Sequence, residues 1–140
     1  MPARPSHAIP LEDVPAGTDT VRQVLIGPDE GPNFALRKFI MKPGGGMPLH
    51  TNTVEHEQYV LRGRARIVVG DEVLEVQKDD VVFIPGGAPH SYEALGTEPF
   101  EFLCVVPNLP DETTVLSQGL EGTRGGSDAE DEIPVDEIGC

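Results

Sequence analysis

The 140-residue chain contains no tryptophan, two cysteines and three lysines. It also has no apolar run near the roughly 20 residues that a membrane-spanning helix needs. Cys104, inside an apolar stretch, and Cys140, at the last position, form no disulfide framework and stand in no metal-type spacing. That usage fits a reducing compartment. Residues 1–7 lack the apolar core of a secretory leader, so the chain reads as soluble and cytoplasmic. Bases are scarce: 10 Lys and Arg stand against 24 Asp and Glu, a formal charge of −14. Neutralising phosphates takes clustered cations, so nucleic acid and anionic membranes are excluded as partners.

The acidity is uneven. From Pro107 onward nine acids face one base, Arg124, leaving −8 there and −6 in the first 106 residues. Residues 119–139 are rich in Gly, Asp and Glu and read as a solvated tail, with Ile133, Val135 and Ile138 as apolar points that can lie on a neighbouring surface. Three segments follow: an N-terminal arm (1–20), a folded body (21–106) and an acidic C-terminal tail (107–140).

Abundant turn formers, 16 Gly and 14 Pro, break the body into short apolar runs at 21–26, 35–41, 57–61, 65–69, 72–76, 81–84, 90–93 and 100–106. Their separators, among them Gly44-Gly45-Gly46, Arg62-Gly63, Gly70-Asp71 and Pro85-Gly86-Gly87, are turn signals, and no run before the tail shows a sustained helical period. The pattern predicts an all-β sandwich or barrel.

Of the four histidines, His50, His56 and His90 sit beside glycine and proline turns between predicted strands, while His7 lies in the arm. Residues two apart on a strand share a face, so His50 and Asn52 point together and His56 opens the next strand. Imidazoles gathered on one face suit Mn, Fe, Ni, Cu or Zn and leave coordination positions for water or substrate.

Residues 44–63, with Gly44, five residues, His50, and later His56, six residues, Gly63, resemble the first motif of the cupin family, G-x5-H-x-H-x3,4-E-x6-G. Residues 79–94 resemble the second, G-x5-P-x-G-x2-H-x3-N, through Pro85, Gly87 and His90. Asp79 stands for its first Gly and Ala94 for its Asn. The resemblance implies an antiparallel jelly-roll β-barrel, the double-stranded β-helix. It also implies one divalent transition metal in the mouth of the barrel and a homodimer.

Two positions depart from the family pattern. Asn52 replaces the second histidine, and His56 occupies the glutamate position between Glu55 and Glu57, as in cupins that carry an E-H-E stretch. Strand alternation turns Glu57 away from the face shared by His56 and Gln58, so His56 is preferred as the ligand. The implied metal set is His50, Asn52, His56 and His90. For Asn52, a weak ligand, a partner of metal-bound water and no metal contact all stay open. Without a carboxylate ligand the ion keeps its +2 charge, which predicts a preference for small anionic chelators such as an enolate, a 2-oxo acid or a hydroxy acid.

Gln58 shares the inward face with His56 and can meet a metal-bound ligand, while Tyr92, two residues after His90, serves as a pocket donor or as wall. In an isomerase of this family Glu55, Glu57 or a metal-bound water would move the proton. Cys104 reads as a buried small hydrophobe, with no neighbouring base in the sequence to activate it. Arg62, Arg64 and Arg66 share one hairpin face, either paired with local acids or receiving a partner's carboxylates.

Three functions follow from the resemblance. The first is a mononuclear metal-dependent oxidoreductase of dioxygenase type acting on a small oxygen-rich or anionic molecule. The others are an isomerase or lyase of sugar or keto-acid type and a non-catalytic small-molecule-binding module.

Overall fold

A computed structural model describes residues 2–116. Among these, ten strands form one antiparallel sheet that curls around a core, as the all-β expectation requires. The strands are β1 (Glu12–Asp13), β2 (Thr18–Ile26), β3 (Phe34–Asn52), β4 (His56–Arg62) and β5 (Arg64–Val69). They continue with β6 (Glu72–Gln77), β7 (Val81–Ile84), β8 (His90–Leu95), β9 (Phe100–Pro107) and β10 (Thr113–Val115). No described helix is long and apolar enough to cross a membrane.

The inward face follows from period-2 patterning. Ala35, Phe39 and Met41 of β3 alternate with outward residues, as do Phe100, Phe102, Cys104 and Val106 of β9, and all are buried. Of the two possible faces of β9, the set with Phe100, Phe102 and Cys104 lines the interior. Phe102 is the hub: its ring lies 5.2 Å from Phe39 and 5.3 Å from Tyr92, nearly parallel to both, and 5.3 Å from Phe100. Burying each such ring contributes about 2–3 kcal/mol.

β3 differs from its sequence reading. The glycine run predicted as a loop lies inside a single 19-residue strand. Residues 34–41 of β3 pair with β9, residues 46–50 with β8, and residues 50–52 with β10, while β2 runs along its side. Gly44, at φ 85°, lets the strand turn from one half of the sheet into the other. Gly46 pairs with Glu93, and a Cβ there would overlap the carbonyl oxygen of Tyr92. Asp79, the residue in place of the first glycine of the second motif, has φ 75°, which is why glycine suits that turn. Its carboxylate accepts the Tyr59 hydroxyl at 2.9 Å.

Strand pairing also reaches past residues 21–106. β1 and the start of β2 add pairs on the N-terminal side, where Val14 is buried, and Gln23 Nε2 donates to the carbonyls of Ser6 and Ile9. On the C-terminal side β10 pairs with the end of β3. Asp111 Oδ1 accepts the Thr53 N–H at 2.8 Å and that of Val54 at 3.3 Å, and the Glu112 N–H donates to Thr53 Oγ1. Residues 111–113 thus cap the turn between β3 and β4. The sequence analysis assigns them to the tail; residues 117–140, including the 119–139 run, lie outside the described residues. The three hairpin arginines pair within the chain: Arg62 with Glu98 and Glu101, Arg64 with Glu75, Arg66 with Glu93.

Two stability predictions follow from these contacts. Gly46→Ala forces β3 and β8 apart and is expected to cost about 3 kcal/mol or more in urea unfolding. Asp111→Ala removes the cap on residues 53–54 and is expected to cost about 1–2 kcal/mol in the same measurement.

Candidate metal site

The bend in β3 and the two motif turns bring His50, Asn52, His56 and His90 together inside the sheet, each buried, with Gln58 and Tyr92 beside them. His50 and His90 are direct register partners on β3 and β8, and their ring centres lie 4.1 Å apart. His56, at the start of β4, has its ring centre 5.8 Å from that of His90. The loop of the second motif is tied to the first: the Gly87 N–H, from a residue at φ 84°, donates to the Asn52 carbonyl at 2.7 Å.

Hydrogen bonds settle the tautomers of two rings. His50 Nδ1 lies 2.8 Å from the Pro48 carbonyl and His90 Nδ1 lies 2.9 Å from the Ala88 carbonyl. A carbonyl only accepts, so Nδ1 carries the proton in both and Nε2 holds the lone pair. The shared contact to the carbonyl two residues earlier orients each ring as the outer partner of a metal-bound histidine does. His56 Nδ1 contacts Cys104 Sγ at 3.3 Å.

Asn52 is oriented by the same logic. Its Nδ2 donates to Thr113 Oγ1 at 2.8 Å and to Asp111 Oδ2 at 3.3 Å, and a carboxylate cannot donate in return. Its Oδ1 is buried with no hydrogen-bond partner. A buried acceptor left in that state costs about 1–3 kcal/mol, which a cation would recover.

These residues fit a divalent ion by donor chemistry: neutral imidazole nitrogens with one amide oxygen suit Mn, Fe, Ni, Cu or Zn. Imidazoles on one ion, at metal–nitrogen distances of about 2.0–2.1 Å, have ring centres roughly 4.5–6 Å apart. The His56–His90 spacing falls in that range, and the His50–His90 pair needs a slight opening. Among the described residues no three His, Cys, Asp or Glu side chains stand close enough together to hold an ion as they are placed.

Gln58 and Tyr92 form a buried pair, Gln58 Nε2 donating to the Tyr92 hydroxyl at 2.7 Å. The Tyr92 ring meets His90 edge-on at 5.9 Å. The other two expected residues are not brought in. Glu55 and Glu57 are exposed on the outer face of β4, where they line an open groove of about 720 Å³ with Phe34, Val54, Pro107 and Leu109. The period of 2 that buries His56 and Gln58 turns them out, away from the buried histidines. A hydrogen bond to Glu55, with lesser burial, holds the Glu57 carboxyl above the usual carboxylate range.

Two residues of the interior escape sequence reasoning. Cys104 is fully buried as expected, yet Gln58 Nε2 lies 3.7 Å and Arg37 Nη2 3.9 Å from its sulfur, in addition to His56. Arg37 is itself buried, on the inward face of β3. Both meet the histidines only through pairing of distant strands; the available signal for Arg37 was its place in the alternating run 35–41.

Three comparisons bear on this geometry. Over 97 residues the chain is 37 % identical to the 1-methylthio-D-xylulose 5-phosphate methylsulfurylase of Rhodospirillum rubrum, covering 65 % of this chain and 62 % of that protein. It is 34 % identical over 91 residues to the oxalate decarboxylase OxdC of Bacillus subtilis, covering 61 % of this chain and 22 % of that one. The chain therefore spans less than two thirds of either relative. The solved structure of the polyketide cyclase RemF from Streptomyces resistomycificus superposes with a TM-score of 0.74 at 31 % identity, over 84 % of this chain and 88 % of that chain. Residues 37–106, which carry both motifs, match the family described as Cupin domain, and the chain belongs to that family of jelly-roll barrels.

Proposed function

We propose that the chain is a mononuclear metal protein, with His50, His56 and His90 as ligands and Asn52 Oδ1 as a further donor. In this reading it is an oxidoreductase of dioxygenase type acting on a small, oxygen-rich anion. The observation that supports it is the gathering of three histidine rings from both motif segments, two of them with Nδ1 bonded to a backbone carbonyl. When bound, the ion supplies a Lewis-acidic dication with positions for substrate oxygen and a second small ligand.

The chain's own residues prepare that centre. Pro48 and Ala88 carbonyls orient two rings, and Thr113 with Asp111 orients the amide of Asn52. The Gln58 amide, donating to the Tyr92 oxygen, directs the phenol proton elsewhere, where it serves a ligand oxygen. Phe102 backs the Tyr92 ring and excludes water behind it. Among the described residues no buried side chain is Asp or Glu, and Glu55 and Glu57 face outward. An isomerase needs a base positioned at the substrate, so this arrangement favours redox chemistry. The oxalate decarboxylase relative supports a second reading, in which the same centre acts as a Lewis acid in a lyase. The exposed Tyr59, Val81 and Phe83 on the outer face of β4 and β7 support assembly as a homodimer.

Elemental analysis of the purified chain tests the ligand set. His56→Ala is expected to lower bound transition metal at least about tenfold, while Glu57→Gln leaves it unchanged; metal retained in full by His56→Ala overturns the assignment. Calorimetry on metal-loaded protein is expected to show binding of glycolate and none of neutral ethylene glycol, and indifference between them overturns the anionic preference. Oxygen uptake with a bound diketone or phenol separates the redox reading from the lyase reading, which turns over without oxygen.

A further inference from the structure

His50, His56 and His90 are fully buried, so anything that reaches them enters through a part of the wall that moves. The walls differ in how firmly they are held. β3 meets β9 along residues 34–41, and parting them would expose Phe39 and Phe102. The turn at 85–89 is tied twice, by the Gly87 N–H to the Asn52 carbonyl and by the Gly70 N–H to the Pro89 carbonyl. β10 is held on one side only, pairing among the described strands with residues 50–52 of β3. Yet β10 covers the cluster. Thr113 is the register partner of Asn52 and Val115 that of His50, and register partners share a face of the sheet, so both side chains point inward. Thr113 is 1 % exposed and Val115 2 %.

We propose that β10 is the gate of the barrel, a strap that swings off β3 to uncover His50 and Asn52 and closes again over what has entered. Asp111 is its anchor, because its carboxylate holds the Thr53 and Val54 N–H groups just before the strand begins. The latch is the contact of Thr113 Oγ1 with Asn52 Nδ2, followed by the Leu116 N–H on the Leu49 carbonyl at 2.8 Å. Opening it exposes two side chains and breaks few hydrogen bonds, which places it among the local openings that cost far less than unfolding. The gate serves any small species that reaches the histidines. Its link to occupancy rests on the metal-site reading: a cation on Asn52 Oδ1 polarises the amide, strengthens the Nδ2 bond to Thr113 and draws the strap shut.

Diethyl pyrocarbonate, which acylates histidine rings that meet solvent, tests the gate on the full metal-free chain, with the exposed His7 as internal reference. Val115→Ala loosens the strap without touching the histidines, and is expected to raise acylation of His50 and His90 relative to His7 about tenfold or more. Thr113→Val keeps the bulk, removes only the hydroxyl of the latch and is expected to give a smaller rise. Val76→Ala is the control: it removes the same atoms from β6, and is expected to lower the urea midpoint while leaving acylation unchanged. Acylation that stays at the wild-type rate in both strap variants, or that rises equally in Val76→Ala, overturns the proposal. Zinc kinetics by stopped flow supply the second readout. Val115→Ala is expected to speed uptake and release by one factor, leaving the dissociation constant within about twofold. Zinc rates unmoved by a strap variant that does expose the histidines overturn the metal reading and leave the gate standing.

Discussion

The close approach of β3 and β8 is the contact on which the rest of this molecule depends. Gly46 lies against the Tyr92 backbone, and beyond a register shift after Met47 the two strands set His50 opposite His90. Because side chains alternate with a period of 2, a slip of one residue would turn His50 and His90 out of the interior. The glycines therefore do more than permit a bend. They let the two backbones approach before the shift that leads to the rings, and the 19-residue strand that contains them also carries Arg37 at its other end. One strand thus spans the interior from the guanidinium to the imidazoles.

The interior built around that strand differs in sign from the molecule as a whole. The chain carries −14, yet among the described residues the buried side chains include Arg37 and three histidines and no carboxylate. A stacked series of rings, Phe39, Phe102 and Tyr92, runs from under the guanidinium to the edge of His90. Apolar walls of this kind strengthen electrostatic interactions by excluding water, so a few polar groups suffice to orient a small anion.

The sequence made the strands, the inward histidines and the outward glutamates legible, because alternation within one segment is a local property. The motif spacing around Gly44, His50, Pro85, Gly87 and His90 added which segments meet. The glycine run was read as a loop because three glycines give no apolar pattern; only the neighbouring β8 backbone explains them. The contacts of Cys104 and Arg37 stay hidden for a related reason. Cys104 meets His56 and Gln58 of β4 and Arg37 meets Cys104 of β9, and no spacing along the chain encodes those juxtapositions. The same holds for Asp111 and Thr113, whose polar, proline-flanked stretch reads as solvated until its pairing with β3 is known.

That last contact has a consequence for how the barrel is bounded. The family match ends at residue 106, yet the amide of Asn52 is held by Asp111 and Thr113. A barrel cut at the family boundary would keep all three histidines and leave the Asn52 amide without the two side chains that orient it. Position 52 and the segment after the barrel thus work as one unit: the Asn52 amide keeps its orientation only while Asp111 and Thr113 stay in place.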